Sequence, residues 1–303
     1  MKTNFLYSVA YNFCLNTFWL RKTKITYKIW STLWSFTSNP KIIIKTKIHG
    51  FNVILPAGHW YLLVLKKYLK FNQPLVSLLK YSECIEKRPL KIIDIGSAVG
   101  DTILLLESKS SFEHAYICID GDEEYNTIAK ENLTFLKTRV TIHKTLVSED
   151  SRLVGQIVKD NPTTGTSKSS VLEKSRRLDD LFKLDEKIDL AKIDIDGFDG
   201  QAIGGFKNTL KNQNASIIFE WNVPLFESTK NHIFKPFYDL KECGYTHFYW
   251  FDNTGNFLFY NKNFSEDELQ ILADYSKKME ETNGYHYDII ALKIDKGFIN
   301  YIK

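Results

Sequence analysis

Residues 91–102 read KIIDIGSAVGDT. Two apolar residues run into Asp94, two glycines bracket a short turn, and a second aspartate follows. A strand that ends in an acid, turns on glycine and opens a helix is a nucleoside-binding arrangement when the next strand also ends in an acid. Here that acid is Asp120, which closes AYICID 20 residues beyond Gly100. It is placed to accept hydrogen bonds from both hydroxyls of a ribose. Gly96 and Gly100 lack a Cβ, which lets a ligand approach the backbone.

Two nucleoside cofactors suit such a turn. A dinucleotide wants G-x-G-x-x-G, whose middle glycine admits the pyrophosphate. This chain reads Gly96-Ser97-Ala98-Val99-Gly100, with alanine at that place. Asp94 beside the turn also repels a diphosphate and suits a cationic amino-acid head. S-adenosylmethionine has that head, a ribose and no phosphate. The donor-binding candidates are therefore Asp94, Gly96, Ser97, Gly100, Asp120 and Gly121.

The pattern continues outward as an α/β chain. LKIIDI, HAYICID, RVTIHKTLV, IDLAKIDID and ASIIFEW read as strands separated by helical segments. Near-continuous apolar strands alternating with helices indicate a mostly parallel sheet covered on both faces. THFYWFD and NFLFYN form a strand pair around Asn253-Thr254-Gly255, Ser265 and Glu268 form a capping box, and YDIIALKI closes the chain. Upstream, KIIIKTKIHGFNVILP reads as two strands around His49-Gly50, and a helical pattern follows with Pro74 as a break or a first-turn residue. Three units result: an aromatic and basic helical extension (1–40), a β-hairpin and helical lead-in (41–89), and the main domain (90–303). The polar segment 151–176 reads as a binding loop or as a surface connection, with Ser169 and Ser170 as candidate donors.

The stretches IIDIGSAVGDT, YICIDGDEEYNTIAKENL, SRRLDDLF and IDLAKIDIDGFDGQAIGGFKNTLKNQNASIIFEWN resemble the FkbM family of S-adenosylmethionine-dependent methyltransferases. The resemblance covers about residues 90–222. LAKIDIDGFDGQAIGGF is its most specific piece, similar to the family's K-I-D-x-E-G-x-E and the small-residue helix after it. It implies a Rossmann-like class I methyltransferase fold. It also implies methyl transfer to a hydroxyl of a sugar, glycan or natural product. The chain departs from the pattern at Asp120-Gly121, where the family usually has Glu-Pro. Asp196 and Asp199 stand where the family has glutamates.

A sugar hydroxyl is a poor nucleophile until its proton is removed, and a nearby carboxylate can act as the base. Asp194, Asp196 and Glu220 fall at strand ends on one sheet edge and are the catalytic candidates. Asp194 is assigned next to the donor pocket, and Asp196 or Glu220 to the acceptor. Two carboxylates holding a divalent cation would be an alternative activator. Asp196 competes with a capping role, Asp199 with a helix-dipole role, and Lys192 reads as an ion-pair partner. His143 and His247 read as structural histidines. Tyr125 reads as core. Trp221 is a candidate for the acceptor wall. A metal-dependent glycosyltransferase using Asp120-Gly121-Asp122 and Asp194-Ile195-Asp196 is the competing enzyme reading. A non-catalytic membrane-surface or binding protein is the reading from another class.

The chain has 303 residues, 44% hydrophobic and 25% charged, and a net charge of +4. That is ordinary globular usage, and the charge does not suggest a nucleic-acid partner. Cys14, Cys84, Cys118 and Cys243 form no C-x-x-C pair, which fits a reducing, cytoplasmic setting and four buried thiols. Thr3 to Leu20 carries no charge, and Arg21, Lys22 and Lys24 follow. Asn4, Ser8, Asn12, Asn16 and Thr17 are costly in lipid, and no A-x-A-like cleavage site is present. The segment reads as a helix packed on the domain, as one lying on a membrane or partner, or as an anchor. Residues 1–35 are accordingly the candidate for peripheral contact with the inner face of a membrane.

Overall fold

The computed structural model describes residues 1–136, 139–151, 153–155, 157–158, 165–166, 172–182 and 186–302. The chain begins with helices α1 (Phe5–Asn16) and α2 (Lys24–Thr37), the second started by a Thr23–Thr26 capping box. Strands β1 (Ile43–Ile48) and β2 (Phe51–Pro56) pair antiparallel. His49 (φ 48°) and Gly50 (φ 94°) both lie in the left-handed region, as a two-residue hairpin turn of the mirror-image type requires. Asn12 fastens α1 to β1: its amide donates to the Lys45 carbonyl at 2.9 Å and its oxygen accepts from the Thr46 hydroxyl at 2.7 Å. Trp30 and Trp34 stack at 5.5 Å, and the Trp30 indole donates to the Cys14 carbonyl.

Residues 68–72 separate α3 (Tyr61–Lys67) from α4 (Gln73–Glu86), and Pro74 falls in the first turn of α4, the second of its two expected places. Proline is tolerated in the first turn because its missing N–H has no partner there anyway.

The main domain runs β3 (Lys91–Ile95), α5 (Asp101–Lys109), β4 (Ala115–Asp120), α6 (Glu123–Asn132) and β5 (Val140–Lys144). Two short antiparallel pairs follow: β6 (Leu153–Gly155) with β9 (Leu172–Lys174), and β7 (Ile157–Val158) with β8 (Gly165–Thr166). Then come β10 (Leu190–Ile193), α7 (Asp199–Gly204), α8 (Lys207–Asn212), β11 (Ser216–Trp221), α9 (Val223–Ser228), α10 (Lys235–Glu242), β12 (His247–Asp252), β13 (Phe257–Asn261), α11 (Glu266–Asn283) and β14 (Tyr287–Leu292).

The eight long strands of this domain form one sheet in the order β13-β12-β14-β11-β10-β3-β4-β5. The β11-β10-β3-β4-β5 run is parallel, whereas β14 lies antiparallel between β11 and β12. Alternate residues of each strand serve opposite faces, so Ile92 and Cys118 join one core while Ile93 and Ile117 join the other. The first core also takes α4, α5, α6 and the N-terminal unit. The second takes α7, α8, α10 and α11. This is the Rossmann-like class I methyltransferase arrangement that the resemblance implies.

Asn132 on α6 joins the hairpin to the glycine turn. Its oxygen accepts from Ile54 N at 2.8 Å, and its amide donates to the carbonyls of Ile54 and Val99 at 3.0 Å each. One expectation fails outside the site: Cys84 is exposed on α4, while the other three thiols are buried. Helical rotation turns position 84 away from the sheet that its neighbours Leu78, Leu79 and Tyr81 face.

Candidate active site

The strand order reverses between β3 and β10, and a crevice opens beyond the carboxyl ends of strands at such a point. Gly96 (φ 82°) and Gly100 (φ 84°) shape the turn there, with Ala98 also at positive φ. A Cβ on Gly96 would lie 1.8 Å from the Asp194 carbonyl oxygen, and one on Gly100 would lie 2.9 Å from the Leu133 side chain. Both glycines are thus needed for approach within the protein, β3 to the end of β10 and α5 to Leu133.

Asp120 is held at the end of β4, only 8% exposed. Its two carboxylate oxygens accept from Ala98 N and Asp122 N, each at 2.8 Å, and Asn126 donates to its carbonyl at 2.9 Å. Burial pushes the carboxyl up to about 6, against those backbone hydrogen bonds. Each oxygen accepts one backbone hydrogen bond and has a second lone pair. Gly121 links Asp120 to Asp122, whose own carboxylate caps α6 by accepting from Tyr125 N at 2.8 Å. Ser97 Oγ is buried without a hydrogen-bond partner of good geometry, beside the Cys118 thiol.

Asp94, expected beside the donor's cationic head, is shut off from solvent. It is 0% exposed, its oxygens accept no hydrogen bond, and Lys192 Nζ stands 3.3 Å from Oδ1. The same ammonium lies 3.2 Å from Asp194 Oδ2 and donates to the Gly96 carbonyl at 3.5 Å. Burial pushes the Asp94 carboxyl up, and it raises that of Asp101, at the start of α5, to about 6. Burial works to lower the Lys192 ammonium, but Asp194, Asp94 and Asp101 hold it above its ordinary range. Three carboxyls thus surround one ammonium. A cluster with that surplus of acid fits a nucleoside bearing a positive charge, with half-exposed Asp194 nearest the opening.

Beside it lies a small, partly open pocket of about 30 Å³, lined by Asn72, Lys192, Asp194, Glu220 and Asp288 among others. Glu220 on β11 and Asp288 on β14 are register partners, so the two acids share one face. Burial, then Asp194, Asp288 and Asp196, push the Glu220 carboxyl well above its ordinary value. His286 Nε2 lies 3.3 Å from Glu220 Oε2. Burial likewise pushes Asp288 up to about 6.

Strand β10 stops at Ile193, so Asp196 lies on the following turn (φ 52°), before Gly197. It does not line the cavity, although its charge reaches Glu220. It is not the cap of α7. Asp199 serves that turn, accepting from Gly197 N at 3.2 Å, and its Oδ1 is buried with no hydrogen-bond partner.

Other expectations resolve plainly. Trp221 is wholly buried, with its indole donating to the Ile233 carbonyl, so it does not form an acceptor wall. Tyr125 is core. His247 pairs with the Tyr260 hydroxyl at 2.8 Å, and His143 is lowered by burial and by Arg176. Ser169 and Ser170 lie outside the described residues. Among the described residues, no group of three or more His, Cys, Asp or Glu has metal-holding geometry.

Sequence reasoning missed Asp101, Asp288, Tyr61 and Asn72. Tyr61 donates to or accepts from His49 Nε2 at 2.7 Å, and its phenol is raised by burial and then by Asp101. The Asp101 signal was present, directly after Gly100. Asp288 is visible only through the β11–β14 register.

A family model of the FkbM methyltransferase domain matches residues 94–246. The chain is similar to a solved FkbM methyltransferase of Methylobacillus flagellatus KT, at 14% identity over 67% of this chain and 43% of that one, with a TM-score of 0.38. It thus spans less than half of that protein's length. It is also similar to a precorrin-6y C5,15-methyltransferase of Geobacter metallireducens GS-15 (13% identity, 73% and 88% covered, TM-score 0.40). A third is an S-adenosylmethionine-dependent O-methyltransferase of Thermotoga maritima (13%, 81% and 75%, TM-score 0.39). No curated protein matches the chain.

Proposed function

The chain belongs to the FkbM methyltransferase family, and from that premise we propose that it transfers a methyl group from S-adenosylmethionine to a hydroxyl oxygen of a sugar, glycan or related natural product. The donor, when bound, supplies an electrophilic methyl carbon. Asp120 would hold the ribose hydroxyls, Ser97 and Gly121 the rim of the nucleoside, and the acid cluster around Lys192 the positive charge.

The observation that carries the reading is Glu220, whose raised carboxyl lines the same cavity as Asp194 and Asp288. A general base works best with a proton affinity near the operating pH, and such a base contributes about 10²–10⁴ in rate. Glu220 takes the proton from the acceptor hydroxyl as the oxygen attacks. Asp194 lies between that base and the donor side and orients the acceptor. Asp196 acts on Glu220 through its charge. A cavity rimmed by carboxylates and the Asn72 amide suits a polyol, which offers many hydroxyl donors.

The glycosyltransferase reading draws no support from the acid pairs. Asp122 is committed to capping α6, and of Asp194 and Asp196 only the first lines the cavity. The reading also sets the protein in the cytoplasm against the inner face of a membrane, with residues 1–35 in contact.

The test incubates the enzyme with methyl-labelled donor and a cell-envelope glycan extract. Label in an alkali-stable ether on a sugar supports the reading. Label confined to protein, nucleic acid or an alkali-labile ester overturns it.

A further inference from the structure

We propose that the outward face of α1 and α2 is a docking surface for an anionic lipid bilayer, on which the helices lie flat. Both helices bury one side inward, through Tyr11 and Leu15 on α1 and Trp30 and Trp34 on α2. Each also has an apolar stripe on the solvent side. On α2 it is Ile25, Ile29, Leu33 and Phe36, at steps of four, four and three, with Ile25 75% and Phe36 61% exposed. On α1 it is Phe5, Val9 and Phe13, at steps of four. A globular helix normally turns such a stripe toward the core and keeps polar residues outside. A contiguous exposed apolar patch marks an interaction site. Tyr7, partly buried on the inner side of α1, stacks on Phe36 of α2 at 5.1 Å, which ties the two helices together.

Charge identifies the occupant. Residues 1–82 contain twelve Lys and Arg and no Asp or Glu, although the whole chain is only +4. Lys22, Lys24 and Lys28 are exposed at the start of α2. Arg21 is held over the rings of Phe18, Tyr27 and Trp30 at 4.8, 5.2 and 4.7 Å. Exposed apolar and aromatic residues beside lysines are the composition of an interfacial helix, whose apolar side enters the acyl boundary while cations meet anionic headgroups. Among the described residues, no helix is long and apolar enough to cross a membrane. A second copy of this chain on the same face would bring two acid-free basic surfaces together, which like-charge repulsion opposes.

The experiment floats the full chain with vesicles of phosphatidylcholine alone and of phosphatidylcholine with phosphatidylglycerol. Two variants accompany it: Ile25→Ser/Ile29→Ser/Leu33→Ser/Phe36→Ser, and Lys22→Glu/Lys24→Glu/Lys28→Glu. All altered residues are exposed, and calorimetric S-adenosylhomocysteine binding checks that each variant is folded. The expected result is at least about tenfold more flotation with anionic than neutral vesicles, weakened by salt and cut about tenfold in either variant. Equal flotation with both vesicles, no flotation, or variants that float like the parent would overturn the proposal. So would a dimer in light scattering that the serine variant dissolves, which would give the face to a second copy.

Discussion

Lys192 Nζ stands 3.3 Å from Oδ1 of Asp94, its register partner on the neighbouring strand, where Asp94 is shut off from solvent. Lys192 lines the pocket, and Asp94 lies buried behind it. Removing one partner of a buried pair leaves an uncompensated charge, at a cost of about 3–5 kcal/mol. Lys192→Met should lose stability on that scale in urea denaturation. The Asp94 carboxyl, already raised by burial, should rise further in the variant. A group raised in the folded state stabilises below its unfolded pKa and loses that contribution as pH rises through the folded one. The deficit should therefore shrink toward pH 4 and grow toward pH 8. The double variant with Asp94→Asn should recover part of the loss.

Glu220→Gln should lower kcat by about 10²–10⁴ while changing donor affinity less than about threefold. Because burial and neighbouring acids raise this carboxyl, the wild-type rate should climb with pH through a limb above the ordinary glutamate range. Below that limb the base is protonated and the rate drops tenfold per pH unit. The variant should lack the limb in a pH–rate profile. A limb that persists in Glu220→Gln would assign the base elsewhere.

Gly96→Ala places a Cβ 1.8 Å from a backbone oxygen at φ 82°. Neither the turn nor β10 can yield without breaking the sheet. A loss of about 3 kcal/mol or more is expected in thermal denaturation, with donor binding lost in parallel.

Asn132→Ala would strand the N–H and carbonyl of Ile54 and weaken the satisfaction of Val99. With about 1–3 kcal/mol for each unsatisfied buried group, a total near 2–4 kcal/mol is expected. The hairpin should loosen first, seen as faster proteolysis near His49-Gly50 than elsewhere.

Much of this architecture was legible because apolar runs separated by helical spacing can hardly form anything but a covered parallel sheet. The glycine turn, the acid ending β4, the hairpin at His49-Gly50 and the Ser265–Glu268 capping box were local signals, readable without tertiary knowledge. The insertion of β14 between β11 and β12 was not, since YDIIALKI is equally apolar in either direction. That insertion brings Asp288 opposite Glu220, so its place in the pocket depended on long-range register. The burial of Asp94 was hidden for a similar reason. Its proximity to the turn was visible, but Lys192 arrives from a strand nearly a hundred residues later. Trp221 looked available at a strand end, yet Phe234, Phe237 and Trp250 enclose it.

The most direct measurement is calorimetric titration of S-adenosylmethionine into the wild-type chain and into Asp120→Ala, with a sugar nucleotide as comparison. A crevice that seats the donor's ribose on Asp120 predicts one site per chain, at least about tenfold weaker in the variant, and no heat from the sugar nucleotide. Equal donor affinity in the two proteins, or saturable binding of the sugar nucleotide in place of the donor, would contradict it.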